Sequence, residues 1–338
     1  DKITAVGTSV FTNLDISGDV DVDGTLETDN LTVGGAQGTD GQVLTSTGSG
    51  VGWEDAAGGG VTFKAFGTSS LMVGDDATGT IDAANYNTGL GVDVFAALTS
   101  GDNNVAVGYN AGAGITTGTL NTFIGGLAGD ATTTASDNTG VGAASMGGNT
   151  TGTRNTALGS DSLKVSTEGN DNTAIGKGSL AANTTASNNT AVGKNSLTAN
   201  TTGAQNTAVG QGAGESNTTG VSLVALGRQA LEANTEGDFN TALGQRALFK
   251  NTTSDNNTAV GNQALGENTT GAGNTAVGAD ALDANTTANN NTAVGRSSLG
   301  ANTTGTFNTA SGRQALLSNT TGDNNVAVGG NALYQNTT

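Results

Sequence analysis

The sequence predicts an all-β fold, a repetitive β-solenoid of 17-residue coils preceded by a short β-shaft segment. Three observations predict it. A glycine returns at Gly91, Gly108, Gly125, Gly142, Gly159, Gly176, Gly193, Gly210, Gly227, Gly244, Gly261, Gly278, Gly295, Gly312 and Gly329, always 17 residues apart and with no insertion or deletion. Gly74, after Val73, fits one step earlier as a degenerate first copy. Each of the fifteen glycines closes a short run of the type Thr-Ala-Val, which suits a strand. The composition, finally, is too poor for the two or three globular domains that 338 residues would otherwise suggest: 56 residues are Gly, eight are Phe, one is Trp and none is Pro. An unbroken register implies that each copy stacks on the last, because one extra residue would misalign the ladder.

In chain order, residues 1–35 read as an N-terminal acidic β-shaft segment. Asp15-Ile16-Ser17-Gly18-Asp19-Val20-Asp21-Val22-Asp23-Gly24-Thr25-Leu26 alternates polar and apolar residues, as strands around a narrow shaft do. Residues 36–72 read as a Gly-rich connector, with Gly58-Gly59-Gly60 as a hinge. Residues 73–338 form the repeat array. The chain opens on Asp1 and stops at Thr338 inside an Asn-Thr-Thr triplet, so a processed start and a further C-terminal tip or cleaved chaperone are expected.

Within a copy, positions are counted from its glycine. Four residues before it stands Asn in fourteen copies, Leu223 being the exception; Asn155 and Asn257 typify this column. Ala stands two before it in twelve copies, with Gly89, Phe123 and Gly140 departing. One before it is Val, Ile or Leu everywhere except Ser311. Leu stands four after it in ten copies, among them Leu163, Leu248 and Leu333. Seventeen residues cannot hold the helix pairs of longer solenoids. The coil is therefore expected to run as one strand through Thr-Ala-Val, a Gly corner, a second strand or irregular segment through Ala-Leu, and a polar Asn-Thr-Thr return. A single helical turn at Ala-Leu is the alternative, given the helix formers at 229–231 and 246–248.

Side chains alternate across a strand. The reading places the Val, Ile and Leu column (Val107, Ile175, Val192, Val277) inside the coil and the Ala column (Ala191, Ala208, Ala242) outside. An outward column kept at Ala implies crowding by another copy of the chain; a flat wall in a monomeric solenoid is the alternative. Two large apolar residues per coil also fall short of the ordering entropy of 17 residues, at about 1–2 kcal/mol each. Identical Asn residues on rungs about 4.8 Å apart are expected to form amide ladders, and fifteen rungs make a rod of roughly 70 Å.

Asn103-Asn104-Val105-Ala106-Val107-Gly108 and Asn324-Asn325-Val326-Ala327-Val328-Gly329 closely resemble the Asn-Ser-Val-Ala-Ile-Gly coil motif of trimeric autotransporter adhesin heads. That resemblance implies a trimeric, left-handed parallel β-roll. The 17-residue form is also similar to repeats of bacteriophage tail-fibre proteins, especially those of marine and cyanobacterial phages. Residues 38–48 with Trp53 resemble a connector of phage fibres. Together these imply a homotrimeric structural protein of a virion tail fibre, acting in adhesion and host attachment, with a host-surface glycan or receptor as partner at a tip. A bacterial surface adhesin or extracellular filament with the same roll is the alternative.

Other chemistry is scarce. The absence of His and Cys removes the commonest general base and the thiolate metal ligands. A net charge of −18 argues against nucleic acid, and no apolar run approaches the ~20 residues that span a bilayer. No cofactor and no enzymatic activity are expected. Asp19, Asp21 and Asp23 imitate the start of a calcium loop, but Asn30 stands where an EF-hand carries Glu, so solvent-facing carboxylates are the competing reading. The Asn-Thr-Thr triplets create glycosylation sequons simply by repetition. Thr201, Thr218, Thr252, Thr269 and Thr286 align as a column that suggests ice or carbohydrate contact. The acidic neighbours Glu54 with Asp55, and Asp75 with Asp76, form no recognisable catalytic constellation.

Overall fold

The computed structural model describes residues 84–338 throughout and, ahead of them, six short strands between 32 and 73. The chain forms two compact units, residues 1–60 and 61–338. In the first, β1 (Thr32–Val33) pairs antiparallel with β2 (Ala36–Gln37). Strand β3 (Gln42–Ser46) pairs antiparallel with β4 (Val51–Asp55), which sets Leu44 opposite Trp53. The alternating segment 15–26, with Asp19, Asp21 and Asp23, and the glycines at 58–60 lie outside the described residues.

The second unit opens with an antiparallel hairpin, β5 (Phe63–Phe66) and β6 (Ser70–Val73). Strand β6 then pairs in parallel with β7 (Thr88–Leu90), and from there to β21 (Val326–Val328) fifteen three-residue strands stack in one file. Each strand faces the equivalent residues 17 positions on: Thr190 opposite Thr207, Ala191 opposite Ala208, Val192 opposite Val209. This is an all-β parallel β-solenoid with 17-residue coils, and no helix occurs among the described residues.

The coil from Asn188 to Ala204 shows why the sequence closes as it does. Its strand is bonded to both neighbours, Thr190 N donating to Asn206 O (2.8 Å) and Gly193 N to Ile175 O (2.7 Å). Four residues then carry positive φ: Asn188 (62°), Gly193 (129°), Asn195 (60°) and Leu197 (48°). These left-handed residues turn the chain through tight bends, with Ser196 N donating to Gly193 O and Asn200 N to Leu197 O. The Ala-Leu segment is thus neither strand nor helical turn. Left-handed Leu costs about 1–2 kcal/mol. Complete burial of the same side chain returns about 1.5–3 kcal/mol, and its N–H is satisfied by Ala213 O of the next coil. Tertiary stacking therefore overrides local preference.

The side-chain parity is the reverse of the sequence expectation. Ala191 and Ala242 are wholly buried inside their coils and Ala208 is 1% exposed. Ile175 is 39% exposed, while Val107, Val192 and Val277 are half-buried on the outside. In a three-residue strand the first and third side chains share one face and the middle one takes the other. The inward position belongs to Ala because the lumen is narrow and the left-handed Leu, as at Leu163 and Leu248, already fills it from the opposite wall. Leu333, in the last described coil, is 50% exposed.

The exceptions obey the same volume rule. Phe123 takes the inward place of Ala, and Gly129 then stands where Leu would, with Gly140 in the Ala position of the next coil. A Cβ on Gly129 would come within 2.5–2.6 Å of the Phe123 ring, and one on Gly140 within 2.9 Å. Conversely, Gly89 and Gly140 stand inward in the coils whose opposite wall carries Phe95 and Met146. Gly112 and Gly214, in coils that keep Ala106 and Ala208, are instead abutted by large side chains of the same and neighbouring coils, Ile115, Phe95 and Phe123 for the first and Leu197 for the second. Ala208→Glu is therefore expected to unfold its coil outright, at a cost of more than about 3 kcal/mol, because a charge would enter an apolar lumen. Thermal melting followed by circular dichroism checks this; an unchanged melt contradicts the inward assignment.

Candidate interaction surfaces

Two internal columns of Asn make the solenoid rigid enough to present a surface. In the first, four residues before each glycine, Asn155 Oδ1 accepts from the backbone N–H of Asn172 (3.0 Å), while its amide donates to Gly169 O (2.8 Å). Asn257 repeats the pattern, its amide donating to Gly271 O (2.9 Å) and its own N–H to Asn240 Oδ1 (3.0 Å). In the second column, seven residues after the glycine, the amide groups pair directly, as Asn200 to Asn183 Oδ1 (3.1 Å) and Asn217 to Asn200 Oδ1 (2.8 Å). Both columns are buried. Each Asn thus satisfies backbone groups that the coil's bends leave without ladder partners, and it does so away from water, where a lost bond is costly.

Among the surface columns, the threonines eight residues after each glycine are committed along the rod. Thr201 Oγ1 donates to Thr218 O (3.0 Å), Thr252 to Thr269 O (3.1 Å) and Thr269 to Thr286 O (3.0 Å). Their donor protons point to the next coil rather than to solvent or ice. Outside the strand the reversed parity leaves a continuous ridge of aliphatic side chains, including Leu158, Ile175, Val192 and Val209, with the strand threonines beside them. Leu158, Ile175, Val209 and Val294 each expose about two-fifths of their surface. This ridge was missed because the larger residue of Thr-Ala-Val was placed inside; the signal that finds it is the size of the opposing Leu.

Charged groups decorate the remaining faces. Arg154 Nε donates to Asp171 Oδ1 of the next coil (2.7 Å), and this bond holds the Asp171 carboxyl below its usual range. The Thr306 backbone N–H and hydroxyl do the same for Asp323. Asp283 is pushed up, first by burial and then by Asp280 and Glu267. The lowered pair stabilises the rod at neutral pH and loses that contribution as pH falls through its depressed values, whereas Asp283 opposes folding as pH rises past its ordinary range. Among the described residues no three metal-ligating side chains converge. The side chains of Glu54, Asp55, Asp75 and Asp76 lie outside the description. No described helix is long and apolar enough to cross a membrane.

The architecture defines a repeat protein whose features are columns running along a rod rather than a pocket. No family model, curated protein or solved structure matches the chain.

The amide column gives a direct test. Leu223 interrupts it, accepting nothing from Asn240, although its own N–H still donates to Asn206 Oδ1 (2.9 Å). Asn257→Leu is expected to destabilise the rod by about 1–3 kcal/mol, because Asn274 N–H loses its buried acceptor. Leu223→Asn completes the column at the expense of a buried Leu and is expected to change stability by less than about 1 kcal/mol. Urea denaturation midpoints of the two variants separate these outcomes.

Proposed function

We propose that the chain is the structural subunit of an extracellular fibre, a stiff rod that assembles as a homotrimer and serves host attachment in a phage tail or related appendage. The observation that carries this reading is the aliphatic ridge. A strand face turned to water favours polar residues, yet the position before the glycine is Val, Ile or Leu in fourteen of fifteen copies, Ser311 being the other.

A single narrow ridge per rod suits closure about a common axis, with each ridge turned inward against two sisters. The sister chains then supply the apolar burial that a coil with a single large buried side chain lacks, as where Leu248 is buried with only Ala242 and Ala247. The equal period of every chain keeps such a bundle in register along its length. The net charge of −18 keeps finished rods apart from one another in solution. Placement in a virion tail rather than on a bacterial surface is supported by residues 38–48 with Trp53, which resemble a connector of phage fibres, and by the shaft-like alternation of residues 15–26. The rod would separate its attachment end from a receptor-binding tip.

Sedimentation equilibrium tests the assembly. The intact chain is expected to run at three times its own mass. Val192→Glu with Val209→Glu is expected to reduce it to one chain while the β-sheet circular dichroism persists, because both side chains stand outside the coil. A native chain that sediments as a monomer at micromolar concentration contradicts the trimer.

A further inference from the structure

Five residues before each glycine the backbone is left-handed, at φ between 55° and 62° wherever the residue is not Gly. Most coils answer with Asn, Asp or another polar residue, which tolerate that geometry or at least favour water. Tyr86, Leu120, Phe239 and Phe307 place a large side chain there instead, each with 56–58% of its surface exposed, and of these Phe239 and Phe307 are the wholly apolar rings. Both sit at φ 55–59°, and both leave more than half of their surface in solvent, at 57% and 58%. An exposed left-handed Phe contributes little burial and bears a conformational cost, so neither ring is explained by folding.

Their placement is regular. They share one column, four coils apart, which is about 19 Å at the spacing of a β-ladder. Between and beyond them the same column carries Asn256, Gly273, Asn290 and Asn324, and the exposed side-chain amides of the three Asn have no hydrogen-bond partner among the described residues. Beside them Asp238 and Asp255 each accept a backbone N–H through Oδ1, at 2.8 Å, which fixes the carboxylates and leaves Oδ2 to the solvent side.

We propose that this column is a side-on binding track for a linear, neutral glycan. The two rings offer flat apolar faces on which the C–H face of a pyranose stacks. The free amides of Asn256 and Asn290 between them donate to and accept from ring hydroxyls, and Gly273 leaves the central coil of the track open. The rings stand too far apart to form the continuous apolar patch that a protein partner needs. The neighbouring carboxylates repel uronic or sialic polymers and nucleic acid, which leaves neutral sugars with equatorial hydroxyls. The track is built within one chain, so the inference goes beyond the assembly and origin proposed above.

Isothermal titration of the full chain with cellohexaose and chitohexaose tests it, with a sialic acid hexamer as the anionic control. Saturable binding to at least one neutral hexasaccharide is expected, and none to the control. Phe239→Asn and Phe307→Asn install the residue of neighbouring coils, so the fold should persist; each is expected to weaken binding about tenfold, and the pair to abolish it, at unchanged sedimentation mass. No saturable binding to either neutral sugar, or equal binding by the double variant, overturns the proposal. So does a double variant that dissociates, because the rings would then lie between sister chains.

Discussion

Each strand of the array ends at a glycine whose peptide lies against the equivalent peptide of the next coil, and that contact sets the geometry of everything around it. At Gly193 φ is 129°, which L side chains rarely adopt, and a Cβ there would lie 2.6 Å from the carbonyl oxygen of Gly210. The backbone conformation and the close approach therefore demand the same residue for separate reasons. With the peptides that close, the strand before the glycine pairs in strict register, the bends after it repeat, and the side chains fall into columns. One inserted residue would displace every column downstream of it.

From this constraint the division of labour follows. The lumen is so narrow that one Leu and two small residues fill a typical coil, as Ala242, Ala247 and Leu248 do, and Phe123 is accommodated by Gly129 in its own coil and Gly140 in the next. Asn is the other interior residue, since a coil with four left-handed bends leaves backbone groups that only a side-chain amide can reach. The interior is thus half apolar and half amide, and little of its stabilisation is the burial of large side chains. What is left over is on the outside: a ridge of Val, Ile and Leu, and a column where the rings of Tyr86, Phe239 and Phe307 stand more than half exposed. In the proposed assembly the ridge would face sister chains, and the proposed track would hold the two Phe rings against a sugar polymer.

Much of the fold was legible in the residues. The 17-residue glycine step gave the coil; the Asn column of Asn183, Asn200 and Asn217 pairs amide to amide, whereas that of Asn155 and Asn257 is turned chiefly to backbone groups of the bends, which the repeat pattern does not display. The parity of Thr-Ala-Val was not legible by size alone. Putting the larger Val192 inside ignored Leu197, which reaches the lumen from a left-handed position that no helix or strand propensity foresees. The rings at Phe239 and Phe307 share an offset that the sequence displays, but only the exposed, left-handed backbone makes them unusual. Residues 15–26, whose alternation suggests a shaft, lie outside the described structure and stand on their sequence pattern.

The most direct test of the stacked coil is a distance along the rod. Spin labels at Thr202 and Thr304 would occupy equivalent exposed positions six coils apart, so chains carrying both labels, diluted into unlabelled chains, should give one narrow separation near 29 Å at a ladder spacing of about 4.8 Å. A broad distribution, or a sharp one far from that value, would contradict a rod in which every 17 residues advance by a single rung.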